Sequence, residues 1–183
     1  MTNTFVVYVE NKPGVLNRVA SLFRRRGFNI ESLTVGHTEN PGVSRMTITV
    51  DTDEAGAYRM ETNVYKLFNV ISVENITARP SVHRELAMIK VAATAESRTH
   101  LMQLVSVFRA RVVDVAPESL VIEITGTEDK IDGLLEVLKH YGVIEMVRTG
   151  RVAMARGGKT NGVGVSDDKP ASTGEDSMVA YSV

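Results

Sequence analysis

The hydrophobic pattern of the chain runs twice through one order of periods, and that repetition limits the fold more than any single motif does. Thr4 to Glu10 (TFVVYVE) is rich in β-branched and aromatic residues, with Phe5, Val7 and Val9 on one face of a strand. From Gly14 the period lengthens to that of a helix. Val15, Leu16, Val19, Ala20, Leu22 and Phe23 make one stripe, while Asn17, Arg18, Ser21, Arg24 and Arg25 face water. Gly27 is placed to stop that helix. Asn29 to His37 (NIESLTVGH) reads as a strand, and Asn40-Pro41-Gly42 as a turn. Ser44 to Asp51 (SRMTITVD) then alternates Met46, Ile48 and Val50 with polar residues. Ala57, Met60, Val64 and Leu67 mark a second helix, and Val70 to Thr77 a fourth strand. The order is β-α-β-β-α-β.

Arg79-Pro80-Ser81 punctuates the chain, and the pattern recurs. Leu86 to Ala93 (LAMIKVAA) is strand-like; Leu101, Leu104, Val105 and Phe108 hold helical spacing, as do Ile131, Leu134, Leu135 and Leu138. Between these helices lie Arg111 to Ala116 and Leu120 to Thr125, split by Pro117-Glu118-Ser119, and Val143 to Val147 closes the set. The expected fold is therefore α+β, with two ferredoxin-like βαββαβ units over residues 1–78 and 79–155. Each would be a four-stranded antiparallel sheet with two helices on one face. From 156 to 183 the chain turns to Gly, Ser, Asp and Thr with almost nothing to bury, and it reads as a disordered tail.

Composition removes several classes of function. With 21 basic and 22 acidic residues the net charge is −1, which suggests neither a nucleic-acid nor a membrane partner. There is no cysteine, hence no disulfide, thiolate nucleophile or Cys-ligated metal. No basic segment leads into an apolar core and no apolar run is long enough to span a bilayer, so the chain reads as soluble and cytoplasmic. His37, His83, His100 and His140 are scattered and read as solvated or capping residues rather than metal ligands. Gly157-Gly158-Lys159-Thr160 ends like a phosphate loop, but a glycine is missing at Ala153 and no helix pattern follows. The scattered carboxylates give no acid–base pair, and no catalytic residue is expected. Stacking on single-stranded RNA would need aromatic central strands, whereas these are aliphatic and only 5% of the chain is aromatic. Arg24-Arg25-Arg26 reads as a solvated helix end that suits the helix dipole.

A sheet with helices on one face leaves its other face bare unless something covers it. Val6 and Tyr8 point to that side in the first unit. Pairing with a second copy is the default expectation, with mutual cover by the two units of one chain as the alternative.

One junction carries chemistry. In Glu10-Asn11-Lys12-Pro13-Gly14-Val15-Leu16-Asn17-Arg18-Val19-Ala20 (ENKPGVLNRVA), Pro13 is expected in the first helical turn, where its missing N–H costs nothing. Gly14 removes a Cβ where a ligand would meet the backbone, and the N–H groups of the first turn lack helical partners. With Val15, Leu16 and Ile30 around it, a small aliphatic carboxylate suits the place better than phosphate. Taken alone, the eleven residues leave a plain strand-to-helix turn and a ligand site equally open. An acylphosphatase-like hydrolase on the same frame, using Arg18 and Asn17, is a remoter reading.

A βαββαβ unit with this Asn-x-Pro-Gly-x-Leu junction resembles the ACT domain, an amino-acid-sensing module. The run FVVYVENKPGVLNRVASLFRRRGFNIESLTVG, followed by SRMTITV and a second half of like order, resembles the small regulatory subunits of acetohydroxyacid synthase (acetolactate synthase). The resemblance spans Thr4 to about Ala155. It implies a non-catalytic chain that binds and activates a large catalytic subunit and confers feedback inhibition by valine in branched-chain amino-acid biosynthesis. Thiamine diphosphate, Mg2+ and FAD would belong to that large subunit, and none to this chain. The effector site would lie between two ACT units of a homodimer. Backbone N–H groups around Gly14, Val15 and Leu16, next to Pro13 in the site, would take the carboxylate, and Asn11, with Asn29 and Ile30 across the dimer, the ammonium and side chain. A free-standing ACT sensor of another enzyme is the alternative. The second unit reads Ala93-Thr94-Ala95-Glu96-Ser97-Arg98 at the corresponding junction, without Pro or Gly, and no effector site is expected there.

Overall fold

Alternating apolar residues on the strands and apolar stripes on the helices meet in two separate cores, one for each repeat. A computed structural model describes residues 1–157. The first sheet is built from β1 (Thr2–Glu10), β2 (Ile30–His37), β3 (Val43–Asp51) and β4 (Val70–Asn75), in the antiparallel order β2-β3-β1-β4. Helices α1 (Val15–Arg25) and α2 (Glu54–Tyr65) cover one face. Phe5, Val7 and Val9 of β1 pack there against Val19 and Phe23 of α1 and Met60 of α2. Burying each such side chain is worth about 1.5–3 kcal/mol. Arg26 closes α1 and Gly27 follows with φ 72°, the left-handed residue that ends a helix. The Asp53 carboxylate accepts from the Gly56 N–H at 2.7 Å and caps α2.

The second sheet repeats the plan with β5 (Ser81–Ala92), β6 (Arg111–Ala116), β7 (Ser119–Gly126) and β8 (Val143–Arg148), in the order β6-β7-β5-β8. Helices α3 (Ser97–Val107) and α4 (Glu128–Leu138) close its core, where Ile89, Leu101, Ile122, Ile131 and Leu134 are fully buried. The expected α+β fold of two βαββαβ units is thus the observed one.

Three expectations need correction. β5 starts at Ser81, directly after Pro80, rather than at Leu86. Its first four residues pair with a strand the periodicity did not show, β9 (Val152–Ala155), from Ser81↔Ala155 to Arg84↔Val152. This two-stranded ribbon lies over the outer face of the first sheet, so Val6 is only 3% exposed and forms a small core with Ile76 and Ala153, with Tyr8 packed at its side. The open face expected at Val6 and Tyr8 is therefore covered from within the chain. The residues expected to form a disordered tail lie outside the described residues, apart from Arg156 and Gly157. The Arg156 N–H donates to Pro80 O at 2.8 Å.

His83 stands on the ribbon, its Nε2 2.6 Å from Ser81 Oγ and its Nδ1 buried without a partner. Burial lowers its pKa from the ordinary 6.5, and Arg151 and Arg84 push the same way. Protonation therefore favours the unfolded chain. Stability is complete above the unfolded value and falls as pH drops through it toward the lower folded value. Melting by calorimetry should accordingly show a steeper loss of Tm from about pH 7 to about pH 5 in the unsubstituted chain than in His83→Gln. Equal slopes would remove His83 from that role.

Candidate functional site

The end of β1 is tied to the β2–β3 turn before the chain leaves the sheet: the Asn11 N–H donates to Gly42 O at 2.8 Å. Lys12-Pro13-Gly14-Val15 then forms a type II turn, with the Val15 N–H 3.4 Å from Lys12 O and Gly14 at φ 81°, ψ −7°. Pro13 presets the second position and glycine tolerates the positive φ at the third. This corrects the expectation for Pro13: it lies ahead of the helix, and Gly14 itself is the N-cap. A Cβ built on Gly14 would meet nothing within 4 Å. Backbone conformation demands glycine here, and the space in front of it is open.

The turn leaves donors free. The N–H groups of Gly14, Leu16 and Asn17 donate to nothing among the described residues, no side chain caps the helix, and its first turn holds no acidic residue. They stand at the positive end of the α1 dipole. Val15 is buried and contributes backbone only, whereas Leu16 is 43% exposed beside the donors. Asn11 Nδ2 donates to Pro41 O at 3.1 Å and lies 3.4 Å from His37 Nδ1, which leaves Asn11 Oδ1 free to accept. His37, read from the sequence as a solvated or capping residue, instead stands beside Asn11; the Asn40-Pro41-Gly42 turn, which returns the chain to this end of the sheet, was the available signal.

Around this opening Glu10, Lys12 and Arg18 are held by partners within the chain. The Glu10 carboxylate pairs with Lys12 Nζ at 3.0 Å and accepts from Asn69 Nδ2, and both hold it below its usual range. Arg18 Nη1 donates to Asn69 Oδ1 at 2.6 Å, with its guanidinium 6.0 Å from the Phe68 ring. An arginine held in this way is not aimed at the open donors, which argues against a phosphate-cleaving use of the frame. Among the described residues no group of three His, Asp or Glu side chains stands at metal-binding spacing.

Asn29 and Ile30 are elsewhere. Ile30 pairs with Val50, which pairs with Asn3 at the start of β1, whereas His37 pairs with Ser44 opposite Val9. At ~3.3 Å per residue the two ends of β2 are about 23 Å apart. Asn29 precedes β2, with Nδ2 on Glu31 Oε1 at 2.8 Å. The fold thus gathers Asn11, Pro13, Gly14, Val15 and Leu16, and sets Asn29 and Ile30 at the far end of the same sheet.

The matching junction of the second unit is closed by its own side chains. The Ser97 N–H donates to Thr94 Oγ1 at 3.2 Å and the Thr94 N–H to Ser97 Oγ at 2.9 Å. Arg98 Nη2 donates to the carbonyls of Ala116 and Pro117, both at 2.8 Å.

The two units match two family models: residues 5–72 match the AHAS small subunit-like ACT domain, and residues 84–157 the small subunit of acetolactate synthase. The chain belongs to the acetolactate synthase small-subunit family. A "Probable acetolactate synthase small subunit" of Archaeoglobus fulgidus is 52% identical over 159 residues, covering 87% of this chain and 99% of that one. The acetolactate synthase small subunit of Mycolicibacterium smegmatis is 50% identical over 156 residues, covering 85% and 92%. The crystal structure of the small subunit from Thermotoga maritima superposes with a TM-score of 0.80 at 41% identity, covering 87% of this chain and 99% of that one. As a small subunit the chain is the non-catalytic member of a transferase and associates with a catalytic subunit. No helix among its described residues is long and apolar enough to cross a membrane.

Because Gly14 is held at positive φ, Gly14→Ala should cost about 1–2 kcal/mol in denaturant unfolding even with no ligand present. Gly36→Ala is the control: Gly36 is free of that constraint and its Cβ would also meet nothing, so no loss is expected. Equal effects at the two positions would show that the turn is not under conformational demand.

Proposed function

We propose that this small subunit activates its catalytic partner and confers feedback inhibition by valine, bound at the Gly14 junction between two copies of the chain. The observation that carries the reading is the set of three unpartnered N–H groups at Gly14, Leu16 and Asn17, open to solvent and flanked by an apolar side chain. A carboxylate answers those donors and the helix dipole. The free Asn11 Oδ1 is an acceptor for the α-ammonium of the same molecule. A short branched side chain then lies against Leu16.

One chain cannot supply the rest of the pocket, because its own Asn29 and Ile30 lie at the other end of β2. β2 is an edge strand. Antiparallel pairing of β2 with β2 of a second copy about a twofold axis brings the Asn29 end of one to the His37 end of the other, beside Asn11 and Gly14. Two equivalent pockets result, each completed by Asn29 and Ile30 of the second copy. On this reading residues 1–78 bind effector and dimerise, while 79–155 and the assembled dimer engage the catalytic subunit. Thiamine diphosphate, Mg2+ and FAD work on that subunit, where acetolactate is made. Valine shifts the dimer between arrangements that support catalysis to different degrees, a coupling of about 1–3 kcal/mol in typical cases.

Gly14→Asp tests the site. Its carboxylate would stand where the ligand's does, so valine binding in calorimetry and valine inhibition of acetolactate formation should both be lost. Activation of the catalytic subunit should persist. Full valine sensitivity in Gly14→Asp would refute the assignment; titrations with leucine, isoleucine and an unrelated amino acid measure its selectivity.

A further inference from the structure

The outer face of the first sheet is paved with hydroxyls. Thr4, Thr47 and Thr49 are each no more than 3% exposed, and Ser32 and Thr34 are partly buried beside them. Arg151, between β8 and β9, is seated on this face. Its N–H donates to Ser32 Oγ at 2.9 Å, and its carbonyl accepts from Thr34 Oγ1 at 3.1 Å. Its guanidinium donates to Thr4 Oγ1 at 3.2 Å through Nη1 and pairs with Glu128 Oε2 at 2.7 Å through Nη2. Glu128 is the first residue of α4 in the second unit. Gly150, at φ 80°, lets the backbone come this close, since a Cβ there would lie 2.6 Å from Ser32 Oγ. One residue therefore joins β1 and β2 of the first unit to a helix of the second.

The surroundings make that link selective. The Arg151 strap borders an open polar cleft of about 420 Å³ between the units, lined also by Glu31, Asp51, Glu85 and Arg148. On this side the contact between the units is polar and made by Arg151, while the apolar contact of Ala153 with Val6 and Ile76 lies further along the same face. Ser32 lies two residues from Ile30, at the end of β2 that would complete a neighbouring copy's effector pocket.

We propose that Arg151 and its seats at Ser32 and Thr34 form the relay by which effector occupancy at β2 is transmitted to the second unit. The assignment rests on valine binding at the Gly14 junction. When β2 shifts on closing an occupied pocket, its hydroxyls carry Arg151 with them, and Arg151 draws on Glu128 at the start of α4. Nothing in this requires Arg151 to touch the ligand.

The test uses the full chain with its catalytic subunit and the variants Ser32→Ala, Thr34→Val and Glu128→Ala, which remove one partner of Arg151 each. None of these residues lines the proposed pocket. Valine binding in calorimetry should stay within about threefold of the unsubstituted chain, and activation should persist. Inhibition at saturating valine should fall to less than about half of its normal extent. Arg151→Lys, which replaces the two nitrogens that hold Thr4 and Glu128 by one, should be intermediate. Unchanged inhibition in all the variants overturns the relay while leaving the effector site standing. Parallel loss of binding and inhibition also overturns it, because that is the mark of a merely structural strap. Absence of valine binding in the unsubstituted chain, with and without the catalytic subunit, overturns the effector site and the relay together.

Discussion

A four-stranded sheet with both helices on one side has a second face, and how that face is covered decides the rest of this molecule. Water cannot be left against Val6 at no cost, nor can buried threonine hydroxyls be left without partners. The chain meets both demands largely with β9, the last strand among the described residues, and with Arg151 just ahead of it. β9 brings Ala153 onto Val6 and Ile76, and its carbonyl accepts from Arg45 Nη2. Arg45 in turn lies 5.7 Å from the Tyr8 ring, with Nε 3.3 Å from the phenol oxygen. Polar and apolar parts of the face are thus covered by one ribbon that belongs half to β5. The two units are joined through a sheet face rather than by a bare linker, and a change in one sheet has a mechanical route to the other.

The two strand-to-helix junctions show how little sequence separates a site from a cap. Both precede a helix on the same side of the same fold. Ahead of α3, Thr94 Oγ1 takes the N–H of Ser97, the first helical residue, and Ser97 Oγ takes the N–H of Thr94, a local exchange worth about 1 kcal/mol. Pro13 and Gly14 offer no side-chain acceptor, so α1 forgoes that stabilisation and keeps its donors available. A helix start left uncapped, with no acid in its first turn, is locally unfavourable. It is a place where an external carboxylate gains what the protein has not already used.

Much of this was legible in the residues. The alternation at Phe5, Val7 and Val9 and the stripes at Val19, Phe23, Leu101 and Leu134 placed strands, helices and cores, because burial enforces period 2 and period 3.6 along long elements. The Asn-x-Pro-Gly-x-Leu junction located the candidate site. Its details were less readable: proline fits a first helical turn and a type II turn equally, and only the φ of Gly14 distinguishes them. β9 was missed because Val152-Ala153-Met154-Ala155 is four residues long and apolar throughout, with no alternation to mark it. Its partner segment, Ser81 to Arg84, is polar and follows a proline, which reads as a boundary. Both signals depend on a tertiary contact that local pattern does not contain. The separation of Asn29 from Gly14 was likewise hidden, since it follows from strand order and register.

That separation has a thermodynamic consequence. A pocket whose halves lie at opposite ends of one sheet cannot close within a monomer, so an effector that uses both halves binds only the assembled dimer. Ligand binding and self-association then share one free energy. Valine would tighten the dimer by as much as dimerisation tightens valine, and dilution would weaken the apparent affinity for the amino acid. An effector site contained in one chain would show neither effect. On the proposed reading this linkage matters because the same dimer would face the catalytic partner. Whatever biases the contact of two β2 strands would then be felt, through the hydroxyl face and Arg151, in the second unit.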